Sequence, residues 1–284
     1  MIDSISTTLS HSLYALGLIF LAGILLDIWY LAEYLLQKIS LPCHSSGSPV
    51  RDHSPFRRAT VLLVLSVTLI PAVITFFSPD PESAPGARQL AGGIFSYTLL
   101  AFAVIFILNR IHLTRLAPGL SDIVFPLPMK RIAAIIRGVT YGIAVIPPVL
   151  LAGAIASYFA TQWGLDVSPQ KAFSYFVDLT YPAPLRFLLT LSAVALAPVY
   201  EEILFRGYLF PALWGKKITP WPAILVCGFL FALVHLHLVS FFPLFLLNIF
   251  LCMGYLRTGS ILTPIIMHGI FNGTSLLIWS LLNG

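Results

Sequence analysis

LRFLLTLSAVALAPVYEEILFRGYLFPAL, residues Leu185 to Leu213, is long and apolar enough to cross a bilayer, yet it carries Glu201, Glu202 and Arg206 near its middle. About 20 apolar residues in helical form span a hydrocarbon core roughly 30 Å thick, so the stretch reads as a transmembrane helix. An ionised side chain at the centre of such a helix costs at least about 2.5 kcal/mol even on the mildest scale. Charges held there at that cost point to function. The competing reading is that both acids only anchor helix packing.

The rest of the chain supplies the same solvent. Mean hydropathy is +0.92, 58% of residues are hydrophobic and only 10% are charged, against roughly 25% charged in soluble domains. The expected fold is an all-α polytopic membrane protein: a bundle of about eight transmembrane helices with a buried polar cavity. The spans run approximately 12 to 37, 59 to 77, 90 to 109, 132 to 160, 185 to 213, 221 to 237, 240 to 256 and 261 to 282. HLHLVSFF, between the sixth and seventh, is barely polar, but Pro243 and the length of the combined run argue for a tight reversal. Prolines stop helices in the longer connections SPDPESAPG and LAPGLSDIVFPLPMK. No internal repeat divides the chain, so residues 1–284 read as one membrane domain, with four spans in 1–184 and a polar-cored segment in 185–284.

Charge placement gives an orientation. Lys38, Arg51, Arg57, Arg58, Arg110, Arg115, Lys130, Arg131, Lys216, Lys217 and Arg257 follow spans one, three, five and seven, whereas Arg88, Lys171 and Arg186 lie on the other side. Basic loops face the cytoplasm, so both termini are expected on the non-cytoplasmic side of the cell membrane. The net charge of +5 is what such loops and anionic headgroups produce, and calls for no nucleic-acid partner. Cys43, Cys227 and Cys252 form no CxxC spacing, and the last two read as packing residues. The N-terminus lacks a basic leader region, and the following apolar run reads as a retained span.

Helix geometry separates the two acids. Glu202 and Arg206 lie four residues apart with the acid first, the favourable order for an intrahelical ion pair. Glu201 points about 100° away, free to face a cavity. Pro198 removes a backbone hydrogen bond, an opening for a bend that admits water at this depth. FALVH puts His235 one turn after Phe231, and MHGIFNGTS puts His268 one turn before Asn272. Counted at about 1.5 Å per residue, Glu201, His235, His268 and Asn272 reach similar depths on three helices. One buried histidine is commonly a packing residue, but two with an asparagine and a carboxylate must each find partners in hydrocarbon.

EEILFR, FALVH and HGIFN resemble the EExxxR, FxxxH and HxxxN motifs of the CPBP family (CAAX protease and bacteriocin-processing, or Abi), which includes the Ras-converting CAAX prenyl endopeptidases. The resemblance covers roughly residues 185 to 280, with the connector GYLRTGSILTPIIMH, and does not extend to spans one to four. It implies an intramembrane peptidase of the glutamate type without a cofactor. Glu201 and His235 would activate water, His268 and Asn272 would donate to the oxyanion, and Glu202, Arg206 and Phe231 would support them. Asn248 is either a further supporting residue or an asparagine bridging two helices. The implied substrate is a hydrophobic or lipidated peptide, prenylated CAAX termini included, met in membrane lipid.

Two other readings stand beside it. A non-proteolytic factor, such as a bacteriocin-immunity or scaffold protein, would keep the fold and use the cavity for binding. A zinc peptidase could draw on His235, His237, His268 and a glutamate. HxH on a helix, however, throws its imidazoles about 200° apart, and no HExxH occurs. His237 is expected near the far membrane surface. His11, His44, His53 and His112 read as exposed, and Asp27 and Glu33 are off-face from one another and receive no chemistry.

Overall fold

The structure, a computed structural model, describes residues 17–28, 86–113, 128–168, 175–176, 178–214 and 219–283. The expected second span lies outside these residues, as do most of the basic loop residues that set the orientation, together with Glu33, Cys43, His11, His44 and His53. The described residues are helical nearly throughout and include no strand. The chain is a multi-pass, all-α membrane protein.

In chain order the helices are α1 (Gly17–Ile28), α2 (Ala87–Leu113), α3 (Pro128–Ala144), α4 (Ile146–Gln162), α5 (Ala183–Trp214), α6 (Pro220–Leu233), α7 (Leu238–Thr258) and α8 (Leu262–Asn283). Stretches in α2, α3–α4, α5, α7 and α8 are long and apolar enough to cross a membrane. Large side chains point outward, among them Phe95, Phe187 and Leu238, while Glu202, Arg206, Asn248, Thr263 and His268 are buried. That inside-out polarity suits a lipid solvent, where polar groups must be satisfied within the protein.

One expected span is corrected. The sixth, read as 221 to 237, ends as a helix at Leu233, so His235 and His237 are not on a helix face. Its 14 residues rise about 21 Å, short of the hydrocarbon thickness. The helix stops because the His235 ring occupies the carbonyl it would otherwise extend through: Nδ1 lies 2.7 Å from Phe231 O, and the His235 N–H turns to Ala232 O. Leu236 then takes a left-handed φ of 47° and reverses the chain. His237 starts α7 as its N-cap, accepting from Ser240 N, while its Nε2 reaches Ser168 O at 2.9 Å. It tethers two connections, where the sequence suggested only a surface position.

Prolines and glycines set the closest approaches. Pro147 has no N–H for Ile143 O, and Gly23 of α1 packs there, so close that a Cβ would sit 2.8 Å from that oxygen. Helix α8 lies along α3, where the Thr263 hydroxyl donates to Ala134 O at 3.2 Å. Helices α5, α6 and α7 share a core of Phe205, Phe210, Ile224, Phe231 and Cys252, which α2 joins through Ala101, Val104 and Ile105. Cys227 and Cys252 are buried free thiols, as packing residues should be.

Candidate functional site

Helix α5 is not uniform. It widens to π-type turns at Ser192–Leu196 and Ile203–Leu209, and the α-helical segment Ala197–Glu202 between them carries the acid pair. The first widening follows from the sequence. Ala197 N–H bonds to Ser192 O, which leaves Ala193 O without its α-helical donor. The π donor would come from residue 198, a proline with no N–H. Asn272 of α8 supplies the bond instead, with Nδ2 donating to Ala193 O at 2.8 Å. Val194 O, which also loses a donor to Pro198, faces Gly269, where a Cβ would lie 2.7 Å away. Helix α8 thus seats on the carbonyls that Pro198 releases, and this seating brings His268 to the acids.

Glu202 and Arg206 form the expected ion pair, 3.0 Å from Oε1 to Nη1, with both side chains fully buried. Arg206 also donates to Asn248 O at 3.3 Å, and its guanidinium lies 5.5 Å from the Phe231 ring centroid. Asn248 therefore contributes its backbone to Arg206, while its side-chain Oδ1 takes the Cys252 thiol. His268 Nδ1 lies 3.0 Å from the same Glu202 Oε1. A carboxylate only accepts, so Nδ1 carries the proton and one oxygen receives both a guanidinium and an imidazole N–H.

Glu201 occupies the other side of that imidazole. Its Oε2 is 3.8 Å from His268 Nε2, beyond direct hydrogen bonding, and its Oε1 accepts from the Tyr200 hydroxyl at 3.3 Å. The Glu201 side chain is 17% exposed, unlike Glu202. Oε2 of each glutamate, Arg206 Nε and Asn248 Nδ2 are buried and have no hydrogen-bond partner among the described residues. Such groups are rare in native interiors and call for an explanation at each site.

His235 is placed less directly. Its Nδ1 donates to Phe231 O, which leaves Nε2 with the lone pair. No hydrogen bond joins it to Glu201. It meets the cluster through the Phe231 ring, 5.0 Å from its own centroid and 5.6 Å from that of His268. The structure thus brings Glu201, Glu202, Arg206 and His268 into one network. Asn272 buttresses it, and His235 is an aromatic ring's width away. Among the described residues no three His, Cys, Asp or Glu side chains converge as a metal-ligand set.

A groove of about 530 Å³ opens between the first wide turn and α8, lined by Val194, Val199, Ile266, Gly269 and Gly273 among others. Its walls are apolar, and neither Glu201 nor His268 is among the residues that line it.

Comparison with known proteins finds a family model that matches this part of the chain. Residues 183–274 match the type II CAAX prenyl endopeptidase Rce1-like model. That is the protease family which the three motifs resemble. The Rce1-like segment opens at the start of α5 and ends two residues beyond Asn272, so it encloses the whole network. Over 124 residues the chain is 31% identical to UPF0177 protein YbdI of Lactococcus lactis, covering 42% of this chain and 65% of that protein. Over 97 residues it is 31% identical to an uncharacterized 24.3 kDa protein of Escherichia coli, covering 33% and 44%. The chain spans about two thirds and under half of the lengths of these relatives. No solved structure matches it.

Motif reading missed two features of the Rce1-like site: the bond from Glu202 to His268, and the phenol on Glu201. Pro198 was a visible signal for the first, because releasing a carbonyl on α5 predicts a polar partner there. Nothing in the residue spacing marks the second, since adjacent helical residues ordinarily point apart.

Proposed function

We propose that this chain is an intramembrane endopeptidase in which Glu201 acts as general base on the attacking water. The observation that carries the reading is the Glu201–His268 gap: 3.8 Å separates a carboxylate oxygen without a hydrogen-bond partner from an imidazole nitrogen, a span that one water oxygen hydrogen-bonded to both would bridge. Glu201 takes the water proton as the oxygen attacks the scissile carbonyl. His235, with its Nε2 lone pair, shares in handling that proton. With the His268 ring protonated from solvent before attack, Nδ1–H stays on Glu202 and Nε2–H donates to the oxyanion, and the proton taken by Glu201 passes to the leaving amine as the C–N bond breaks. Asn272 keeps a second amide N–H beyond the one given to Ala193 O. Removing one such donor from a preorganised site typically costs about 3 kcal/mol of transition-state stabilisation.

The family match and the apolar groove favour a lipidated or otherwise hydrophobic peptide, with prenylated CAAX termini the first class to try. The basic loops support a location in the cell membrane with both termini outside the cytoplasm. The test uses purified protein in lipid nanodiscs with a prenylated CAAX peptide, the same peptide without its lipid, and an apolar helical peptide. Glu201→Gln should cut turnover by at least about a hundredfold, and a chelator should leave it unchanged. Equal cleavage by wild type and Glu201→Gln would overturn the mechanism. If wild type binds the peptides and cleaves none, the binding-protein reading takes its place.

A further inference from the structure

Glu201 has a neighbour that the glutamate mechanism does not use. Tyr200 precedes it in the chain, is 5% exposed, and donates its hydroxyl to Glu201 Oε1 at 3.3 Å. A phenol buried in a membrane protein needs an acceptor, and this one has taken a carboxylate instead of a backbone carbonyl. The distance is long for an O–H donor, as hydrogen bonds around catalytic groups often are before substrate binds. The ring also meets Tyr97 of α2, edge-on with centroids 5.2 Å apart and planes at 77°. Helix α2 lies before the Rce1-like segment, so the N-terminal spans reach the site at this point.

The two oxygens of Glu201 therefore have different surroundings. Oε1 is held by the phenol, and Oε2 faces His268 across 3.8 Å. The terminal torsion of a glutamate is soft and broadly distributed. Without a restraint on Oε1 the carboxylate can turn and close on His268 Nε2 as a direct ion pair, which fills the position where water must sit.

We propose that Tyr200, buttressed by Tyr97, is a positioning residue that keeps the base and the imidazole from closing on each other. This rests on the reading of Glu201 as the base. Tyr200→Phe keeps the ring and removes the donor. It should lower kcat about tenfold to hundredfold, the range set by a hydrogen bond to a charged group, with KM within twofold. Its thermal midpoint should not fall, because the ring packing remains and a carboxylate–imidazole contact replaces the lost bond. A role in folding alone would give the opposite pattern.

A second measurement needs no substrate. Infrared difference spectra of wild type minus Glu201→Gln isolate the Glu201 carboxylate band, and the same difference taken in the Tyr200→Phe background should show it shifted. An unmoved band, or a Tyr200→Phe kcat within twofold of wild type, overturns the proposal. The base reading fails separately, if Glu201→Gln turns over substrate like wild type, and in that event the infrared comparison alone decides whether the phenol restrains the carboxylate.

Discussion

Oε1 of Glu202 lies 3.0 Å from Nη1 of Arg206 and 3.0 Å from Nδ1 of His268, so one fully buried oxygen joins a cation on its own helix to an imidazole 66 residues further along the chain. The second acid of the doublet is therefore the part of the pair that ties α5 to α8.

Breaking this junction should be costly in a specific way. Glu202→Gln leaves Arg206 buried without its counter-charge, and removing one partner of a buried ion pair costs about 3–5 kcal/mol. The double variant Glu202→Gln/Arg206→Met removes the stranded cation and should recover a large part of that loss. Thermal unfolding of Glu202→Gln, Arg206→Met and the double variant in one detergent checks the order, which additive losses would contradict.

Asn272 and Pro198 should be coupled. Asn272→Leu leaves Ala193 O without its donor, at about 1–3 kcal/mol for a buried unsatisfied group. Pro198→Ala restores an N–H to α5, so Asn272→Leu should cost less in that background. A double-mutant cycle measures the coupling, and additivity within about 0.5 kcal/mol would show that the two residues act independently.

Gly269→Ala should separate α8 from α5. The added Cβ would sit 2.7 Å from Val194 O, a backbone atom that cannot swing aside, and overpacking of this kind typically costs about 1–3 kcal/mol. Gly92→Ala in α2 serves as the control, since nothing lies within 4 Å of its Cβ position and the substitution should be neutral or stabilising. Peptide turnover and the thermal midpoint of both variants give the comparison.

A small acid-side effect is expected ahead of α5. Asp178 accepts from the Thr180 hydroxyl at 2.7 Å and from the Thr180 N–H at 2.9 Å. These donors, hydroxyl first, with help from Arg186, hold its carboxyl below the usual carboxylate range. A folded value below the unfolded one gives a contribution that is complete above about pH 4 and fades as pH falls through the folded value. The difference in thermal midpoint between wild type and Asp178→Asn should thus be present at pH 7 and close on acidification. A difference that widens toward low pH would contradict the sign.

Much of this protein was legible because lipid is a simple solvent. Long apolar runs give helices whose limits fall within a few residues of Ala183, Trp214, Leu238 and Asn283, since hydrocarbon leaves the backbone few alternatives. The pairing of Glu202 with Arg206 was legible for the same reason: helix periodicity fixes which side chains meet when no solvent competes. Periodicity misled at His235, where a side chain outcompeted the backbone for Phe231 O and ended the helix. It was also blind to the meeting of Tyr200 and Tyr97, because that contact joins helices about 100 residues apart. The widened turns went unseen too, although Pro198 marks where the first one ends.

Those two widenings give α5 an unusual sensitivity to counting. Each takes up about one residue more than an α-helical turn, so the acid-bearing segment keeps a facing that an unbroken α-helix of the same residue count would turn away. The α-helical Ala197–Glu202 has no such widening, so deleting one residue there ahead of Glu201 would swing everything beyond it by about 100°, turning the carboxylates away from His268. In this stretch a change of length is a graver lesion than a change of letter, the reverse of what holds in a surface loop.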